Sequence, residues 1–332
     1  MDYGSIPLNI PERRTREMTR PVALFVLGFG RSGTSPLTRV LSLCGAALPT
    51  GLLGAMSDNP RGFFEPREVI QLNQAILLDQ GGSGYDLTLR RRMGDAEKAG
   101  WIAKIRAYLA TLPAAPIVVI KEPKLTAVSD LWFEAAALAG FDVATVIAVR
   151  HPQEVIGSLS KRARGQRYVR SSPELVSAWW LKYSLLAERN TRGVPRVFVE
   201  YANLLEDWRR EVKRISTALA IELSAQDEAE IDQFLTPELR HHEHRGPVTE
   251  PFGTDWISAV YEALSAAARD EPWDQSELDR VAEAYGACER GFRMAFDDYQ
   301  RYRRLNRFMP PFMVKMGLEA LAMAHRRKGT WA

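Results

Sequence analysis

An eight-residue stretch, GFGRSGTS at 28–35, combines glycines, hydroxyls and one arginine directly after an apolar run. The apolar run at 22–27 has the composition of a buried parallel strand, and the apolar stripe from Leu37 to Cys44 predicts a helix that begins in this glycine-rich loop. A glycine-rich turn between a strand and a helix exposes backbone N–H groups and the positive end of the helix dipole. We therefore predict that the loop binds an anion. The residues that would bind it are Gly30, Arg31, Ser32, Gly33, Thr34 and Ser35.

Polar residues follow three further apolar runs, each of which has the composition of a buried strand. The runs are at 117–120, 143–149 and 196–199. Lys121 follows the first run, Arg150 the second, and Glu200 and Tyr201 the third. Helical patterns separate the runs, at about 66–79, 96–111, 127–139, 152–162, 173–191 and 203–220. This alternation favours an α/β fold with a parallel sheet flanked by helices, in which ligands bind at the carboxyl ends of the strands.

The glycine-rich loop lacks the lysine of a nucleotide triphosphatase P-loop, because Thr34 occupies that position. None of the four predicted strands ends in the aspartate that would help to hold Mg²⁺. A transferring sulfuryl group carries less negative charge than a phosphoryl group, so fixed Lys and Arg side chains can neutralise its leaving group without a divalent ion. We therefore expect no metal. A P-loop nucleotide kinase or NTPase is the alternative, and a nucleotide-binding protein without catalysis is a third hypothesis.

Four segments resemble motifs of the sulfotransferase family that uses 3′-phosphoadenosine-5′-phosphosulfate (PAPS). GFGRSGTS resembles the family's 5′-phosphosulfate loop, and VIAVRHPQEVIGSLS resembles its 3′-phosphate motif, with matches at Arg150 and Ser158. VIKEPKL resembles a Lys-Asp-Pro segment and matches it at Lys121, although Glu122 replaces the aspartate. VFVEYANLL resembles a Tyr-Glu-Asp-Leu segment and matches it at Tyr201.

The resemblance implies the sulfotransferase fold, with PAPS as sulfuryl donor and adenosine 3′,5′-bisphosphate (PAP) as product. It places the 5′-phosphosulfate in the glycine-rich loop, the 3′-phosphate near Arg150 and Ser158, and the adenine beside Tyr201. Lys121 and Arg31 are expected to offset charge on the leaving oxygen.

Glu65 is the residue that we predict to be the general base. No histidine precedes His151, so a base in the first half of the chain must be a carboxylate. The segment DNPRGFFE at 58–65 resembles an Asn-Pro-x-Gly-aromatic-aromatic-Glu segment of bacterial sulfotransferases. The alternative is that Glu65 only places a negative charge at the start of the following helix. The resemblance favours a glycan or glycolipid hydroxyl as acceptor; a tyrosine or a small-molecule hydroxyl is the alternative.

Composition bounds the remaining properties. The chain has 332 residues and a net charge of +3, which favours neither a nucleic acid nor a membrane as partner. Two cysteines, outside any CxxC pair, predict a reducing, cytoplasmic location, and no run is long enough for a membrane span. We predict a loose arm at 1–20, a PAPS-binding core at 21–235 and a helical extension at 236–332 that packs on the core.

Two features of the extension stay open at the level of sequence. The His-rich loop at 241–245 has no zinc-site spacing, and we expect it to rim the acceptor cleft. The chain could be a monomer or a homodimer, because the amphipathic run at 309–324 suits packing on the core as well as on a second subunit.

Overall fold

The computed structural model describes residues 20–56, 59, 61–89, 93–165, 172–236, 246–308 and 311–328. The predicted N-terminal arm up to residue 19, part of the segment before Glu65 and the His-rich loop at 241–245 lie outside the described residues.

Four parallel strands form one sheet, and all four were predicted from the sequence. They are β1 (Val22–Leu27), β2 (Ile117–Lys121), β3 (Asp142–Val149) and β4 (Arg196–Glu200). Their order is β2-β1-β3-β4, and Val22 of β1 pairs with Ile117 of β2 and with Asp142 of β3. This register brings the carboxyl ends of the strands to one edge of the sheet, where the glycine-rich loop begins.

Both faces of the sheet are covered by helices, which confirms the predicted fold class. The helices before the C-terminal extension are α1 (Thr34–Leu43), α2 (Arg67–Asp79), α3 (Asp95–Leu109), α4 (Ser129–Leu138), α5 (Pro152–Gly165), α6 (Pro173–Asn190), α7 (Tyr201–Glu206), α8 (Trp208–Leu219) and α9 (Glu228–Phe234), with a 3₁₀ helix at Pro123–Val128. Along β1, Phe25 and Leu27 enter the core on one face, and Leu24 and Val26 enter the core on the other. A parallel strand buried on both faces is a continuous apolar run, which explains why the strands could be read from the sequence.

The predicted single helix at 203–220 is wrong, because the chain forms α7 and α8 with a break at Asp207. Asp207 has non-helical backbone dihedrals, and its carboxylate accepts a hydrogen bond from the N–H of Arg210 at 3.0 Å. An aspartate that caps a helix favours a new helix start over continuation of the preceding one.

The C-terminal part consists of α10 (Trp256–Ala268), α11 (Gln275–Phe308) and α12 (Pro311–Lys328). Val260 of α10 and Leu278 and Tyr285 of α11 are buried in the same core as one face of the sheet. Further along, the large apolar side chains that the structure describes on α11 and α12 are exposed, from Met294 to Met323. In the described part of the chain, no helix combines the length and the apolar character that crossing a membrane requires.

Candidate active site

The glycine-rich loop is held at both of its ends. Gly28 has a φ of 130°, and a Cβ there would lie 2.7 Å from the carbonyl oxygen of Ala148. Its N–H donates to Thr126 Oγ1 at 3.0 Å. Gly33 has a φ of 88°, and a Cβ there would lie 2.3 Å from the ring of Tyr201. Glycine is therefore required at both positions, and the path of the backbone between β1 and α1 is fixed.

The start of α1 fits an anionic ligand. Gly33 is the N-cap residue and provides no side-chain cap. Because the first amides of a helix have no intrahelical carbonyl to bond, those of Thr34 and Ser35 are available to a ligand. Ser32 and Thr34, both in this segment, are buried. These features meet the requirements of a phosphate cradle.

Lys121, at the end of β2, contacts Glu65 and the glycine-rich loop on one side of that loop. Its Nζ lies 2.5 Å from Glu65 Oε1, and it donates to Ser35 Oγ at 3.1 Å and to the Phe63 carbonyl at 3.0 Å. Only 2% of the Lys121 side chain and 11% of the Glu65 side chain are exposed. Three residues singled out from separate sequence motifs therefore form one buried cluster at the mouth of the loop.

The pKa of Lys121 is lowered overall, and Glu65 limits the decrease. Burial lowers the pKa of Lys121, while the carboxylate of Glu65 raises it through charge and hydrogen bonding. The positive charge of Arg31 adds to the lowering, so the two cations are close enough to interact. A buried ammonium next to a carboxylate can neutralise an incoming anion and can also exchange its partner for that anion.

Glu122, the residue after Lys121, belongs to a buried polar chain that the sequence did not reveal. Asn73 Nδ2 donates to Glu122 Oε2 at 2.7 Å, and Trp132 Nε1 donates to Asn73 Oδ1 at 2.8 Å. Burial raises the pKa of Glu122 from 4.5 to about 7, and the charge of Glu65 adds to the increase. The only sequence signal was the departure from the aspartate of the related motif.

A second cationic group lies on the other side of the loop. Arg31 Nε donates to Ser158 Oγ at 2.9 Å, and Arg150 Nη1 donates to the Arg31 carbonyl at 3.0 Å. Arg150 also pairs with Glu154 at 2.7 Å, and its guanidinium lies 4.5 Å from the centroid of the Tyr201 ring. We predicted that Arg31 and Lys121 both stabilise the leaving oxygen; the Arg31 side chain bonds to Ser158, and its charge also contributes to the lowered pKa of Lys121. Arg31 has φ 73°, and this left-handed backbone conformation belongs to the sharp turn of the loop.

Aromatic side chains of α6 and α10 pack next to the backbone of Arg150 and His151. Trp180 Nε1 donates to the Arg150 carbonyl at 3.2 Å. The ring of Tyr261 packs on Trp180 at 6.4 Å and on His151 at 4.8 Å, and its hydroxyl donates to Glu200 at 2.6 Å. α10 therefore helps to position a site residue that follows β3.

The segment that carries Glu65 is fixed to α9. Arg61 bonds to the Phe234 carbonyl and donates to Thr236 Oγ1 at 2.6 Å. The rings of Phe64 and Phe234 meet edge to face at 6.3 Å. These long-range contacts hold Glu65 against Lys121.

The structure brings together all of the site residues that the sequence predicted, as two clusters around one loop. Glu65, Lys121 and Ser35 form the first cluster; Arg31, Arg150, Ser158 and Tyr201 form the second. Gly30 lies between them in the loop, with only the Pro123 side chain near its Cβ position, at 4.0 Å. Within the ranges that the structure describes, no three His, Cys, Asp or Glu side chains are grouped as a metal site would require.

Comparisons with known proteins give matches among solved structures only. No family model matches the chain, and no curated protein matches it. The sulfotransferase domain from the Synechococcus PCC 7002 olefin synthase is similar at 21% identity and a TM-score of 0.40, over 81% of this chain and 96% of that chain. The sulfotransferase domain from the curacin biosynthetic pathway is similar at 14% identity and a TM-score of 0.42, over 76% of this chain and 99% of that chain.

A third similar structure is retinol dehydratase in complex with androsterone and the inactive cofactor PAP. Its identity is 14% and its TM-score 0.34, over 80% of this chain and 81% of that chain.

Proposed function

We propose that the protein is a PAPS-dependent sulfotransferase that transfers a sulfuryl group to a hydroxyl of a glycan or glycolipid. The observation that carries this proposal is the presence of two clusters on either side of a single anion-binding loop, each built around a largely buried cation, Lys121 in one and Arg150 in the other. PAPS carries two separate anionic groups, a 5′-phosphosulfate and a 3′-phosphate. A nucleoside triphosphate has its negative charge in one chain and would leave one of the two clusters without an anion.

Each cluster would bind one anionic group of PAPS. The glycine-rich loop and Lys121 would hold the 5′-phosphosulfate, which supplies an activated sulfuryl group when it is bound. Arg150, Ser158 and Arg31 would hold the 3′-phosphate, since the Arg31 side chain lies with Ser158. Tyr201, whose ring contacts both Arg150 and the Gly33 position, would lie beside the adenine.

Glu65 is the group that we assign to the proton of the acceptor hydroxyl. Its carboxylate is nearly buried and is held by the Lys121 ammonium at 2.5 Å. A carboxylate in this position can accept a proton as the hydroxyl oxygen attacks, and Lys121 can offset the negative charge that develops on the leaving phosphate oxygen. Proton acceptance and charge neutralisation are thus placed in adjacent side chains.

An exposed aromatic side chain supports a sugar as acceptor. Tyr85 is 51% exposed. Its ring packs on Trp179 with the centroids 5.2 Å apart, and Lys124 Nζ, three positions after Lys121, lies 5.7 Å from the ring centroid. Sugars pack their apolar faces on aromatic rings that lie beside polar groups, and binding pockets combine the two in this way.

The cysteines favour the cytoplasm as the place of action. Cys44 and Cys288 are both free thiols. Burial raises the pKa of Cys44 to about 11, which keeps its thiol protonated and unreactive. We propose a cytoplasmic enzyme on this basis.

The test is a transfer assay with sulfur-labelled PAPS and a panel of acceptors. The panel contains glycans, glycolipids, tyrosine peptides and small phenols and alcohols, and mass spectrometry locates the label. We expect transfer to a sugar hydroxyl, without added metal and with loss of turnover in Glu65→Gln. Transfer to tyrosine peptides alone would refute the glycan assignment, and tight binding of ATP with Mg²⁺ but not of PAP would refute the sulfotransferase.

A further inference from the structure

The exposed apolar side chains of the protein are concentrated in its C-terminal helices. Tyr299 and Met294 on α11 and six large side chains on α12 are exposed. The six are Phe312, Met313, Met316, Leu318, Leu321 and Met323, with 48% to 66% of each side chain accessible. Between 312 and 324, the sequence of α12 contains only two charged residues, Lys315 and Glu319, four positions apart. By helical spacing Phe312, Met313, Met316 and Met323 lie on one side of α12. Soluble monomers rarely expose a group of large apolar side chains of this size, so this side of the helix is expected to have a partner.

The charge of the same region is strongly positive. Residues 301–328 contain eight Lys and Arg and one Glu, which is a formal charge of +7. The chain as a whole has a net charge of +3, so the remaining residues sum to −4. In the sequence, basic residues precede and follow the apolar part of α12: four arginines at 301–307 come before it, and Arg326, Arg327 and Lys328 come after it.

We infer that α12 binds the surface of a membrane that contains anionic lipids. An apolar helix flanked by basic residues inserts its apolar side chains at the boundary of headgroups and acyl chains, while lysines and arginines bind the anionic headgroups. The 18 residues of α12 span about 27 Å, and the helix lies along the surface in this arrangement. The protein would thus be a peripheral membrane protein through its C-terminal segment.

Charge favours this occupant over a second copy of the chain. Two copies that packed α12 against α12 would bring together two helices of formal charge +3, each preceded by the four arginines at 301–307, and the like charges would repel each other. An anionic membrane instead neutralises the basic residues while it covers the apolar ones.

The placement also bears on the acceptor, and this step rests on the proposed function. An enzyme held at a membrane surface meets hydroxyls on lipid-linked sugars, so a glycolipid is favoured over a free glycan. Vesicle binding is measured without PAPS or acceptor, and its failure is therefore distinct from a failure of the proposed activity.

The experiment is co-sedimentation of the full chain with two kinds of vesicle. One is made of phosphatidylcholine alone; the other contains phosphatidylglycerol as a third of its lipid. The test variant carries Met316→Gln and Met323→Gln, which lie seven positions apart on one side of α12. The control variant carries Leu78→Gln and Leu138→Gln, which replace side chains exposed to 60% and 56% outside this region. Because all four side chains are exposed, the substitutions should leave folding intact, which circular dichroism verifies.

We expect binding to the anionic vesicles, weakening as salt is raised, with a partition coefficient at least tenfold lower for the α12 variant and unchanged for the control. Equal binding of the two variants would overturn the inference. Failure of the protein to bind either kind of vesicle would also overturn the inference. If light scattering then shows a dimer that the α12 substitutions dissociate, the partner of α12 is a second copy of the chain.

Discussion

The buried pair of Lys121 and Glu65 offers a test that separates a catalytic carboxylate from a structural one. Removing one partner of a buried ion pair leaves an uncompensated charge and costs about 3–5 kcal/mol. For Glu65→Gln we expect the lower end of this range, because Ser35 Oγ and the Phe63 carbonyl still accept hydrogen bonds from Lys121. For Lys121→Met we expect about 3 kcal/mol, because the carboxylate left behind is 11% exposed.

The double variant with both substitutions should recover most of this stability, since it buries no unpaired charge. We expect it to lie within about 1 kcal/mol of the wild type, so that the two single losses of about 3 kcal/mol imply a coupling energy of about 5 kcal/mol in the double-mutant cycle. Urea unfolding of the four proteins measures these values. Activity should behave differently: turnover per folded molecule should fall by about 10²- to 10⁴-fold in every protein that carries Glu65→Gln, the stable double variant included.

Glu188 provides the matched control for this cycle. Its carboxylate is 1% exposed, pairs with Arg192 at 2.7 Å and bonds Arg196 at the start of β4, at the opposite end of the strand from the site. Glu188→Gln should destabilise the protein while leaving turnover per folded molecule unchanged. If the Glu65/Lys121 double variant is stable and turns over at the wild-type rate, Glu65 is a structural residue and our assignment of the base is wrong.

Two other sites give independent predictions. Gly33→Ala should destabilise the protein by several kcal/mol and abolish binding of PAP, because the new Cβ would lie 2.3 Å from the Tyr201 ring. Gly45→Ala is the control: Gly45 has φ 98°, but nothing lies within 4 Å of the Cβ position, so this variant should lose only about 1 kcal/mol through backbone strain. Equal effects in thermal unfolding would disprove the packing argument. The pKa of Glu122 is raised to about 7 in the native state, so its neutral carboxyl stabilises the fold below pH 4.5, and this contribution is lost as the carboxyl ionises. The Glu122→Gln variant lacks this pH dependence. Its stability relative to the wild type should therefore increase as pH rises from 4.5 to 8, by at most about 3 kcal/mol. Unfolding free energies that show no pH-dependent difference would contradict the pKa shift; the Asn73 side chain stays as hydrogen-bond donor in both proteins.

The sheet and the glycine-rich loop could be predicted from sequence because their signals are local. Each strand is a continuous apolar run, since it is buried on both faces, and the residue after each run reaches the same edge of the sheet. The types and positions of Lys121 and Arg150 therefore predicted a common site before any contact was known. The break at Asp207 was missed because a capping aspartate within a helical pattern is a weak signal.

Contacts between distant segments were beyond the sequence. Thr126 fixes the start of the loop through a bond across 98 positions, and Asn73 meets Glu122 across 49 positions; neither pair has a pattern that a single sequence reveals. The partner of Arg31 was also unpredictable, because the direction of a long side chain in a turn depends on what packs around it. The sequence thus predicted candidate site residues, and tertiary packing determines which of them lie in contact.

Isothermal titration with PAP, without metal, tests the central claim that two cationic clusters bind the two anionic ends of one nucleotide. We expect binding at micromolar concentration, weakened at least tenfold by Arg150→Ala, whereas ADP, which lacks a 3′-phosphate, should bind weakly and be insensitive to that substitution. Equal affinity for PAP and ADP, or an Arg150→Ala variant that binds PAP like the wild type, would contradict the two-cluster account.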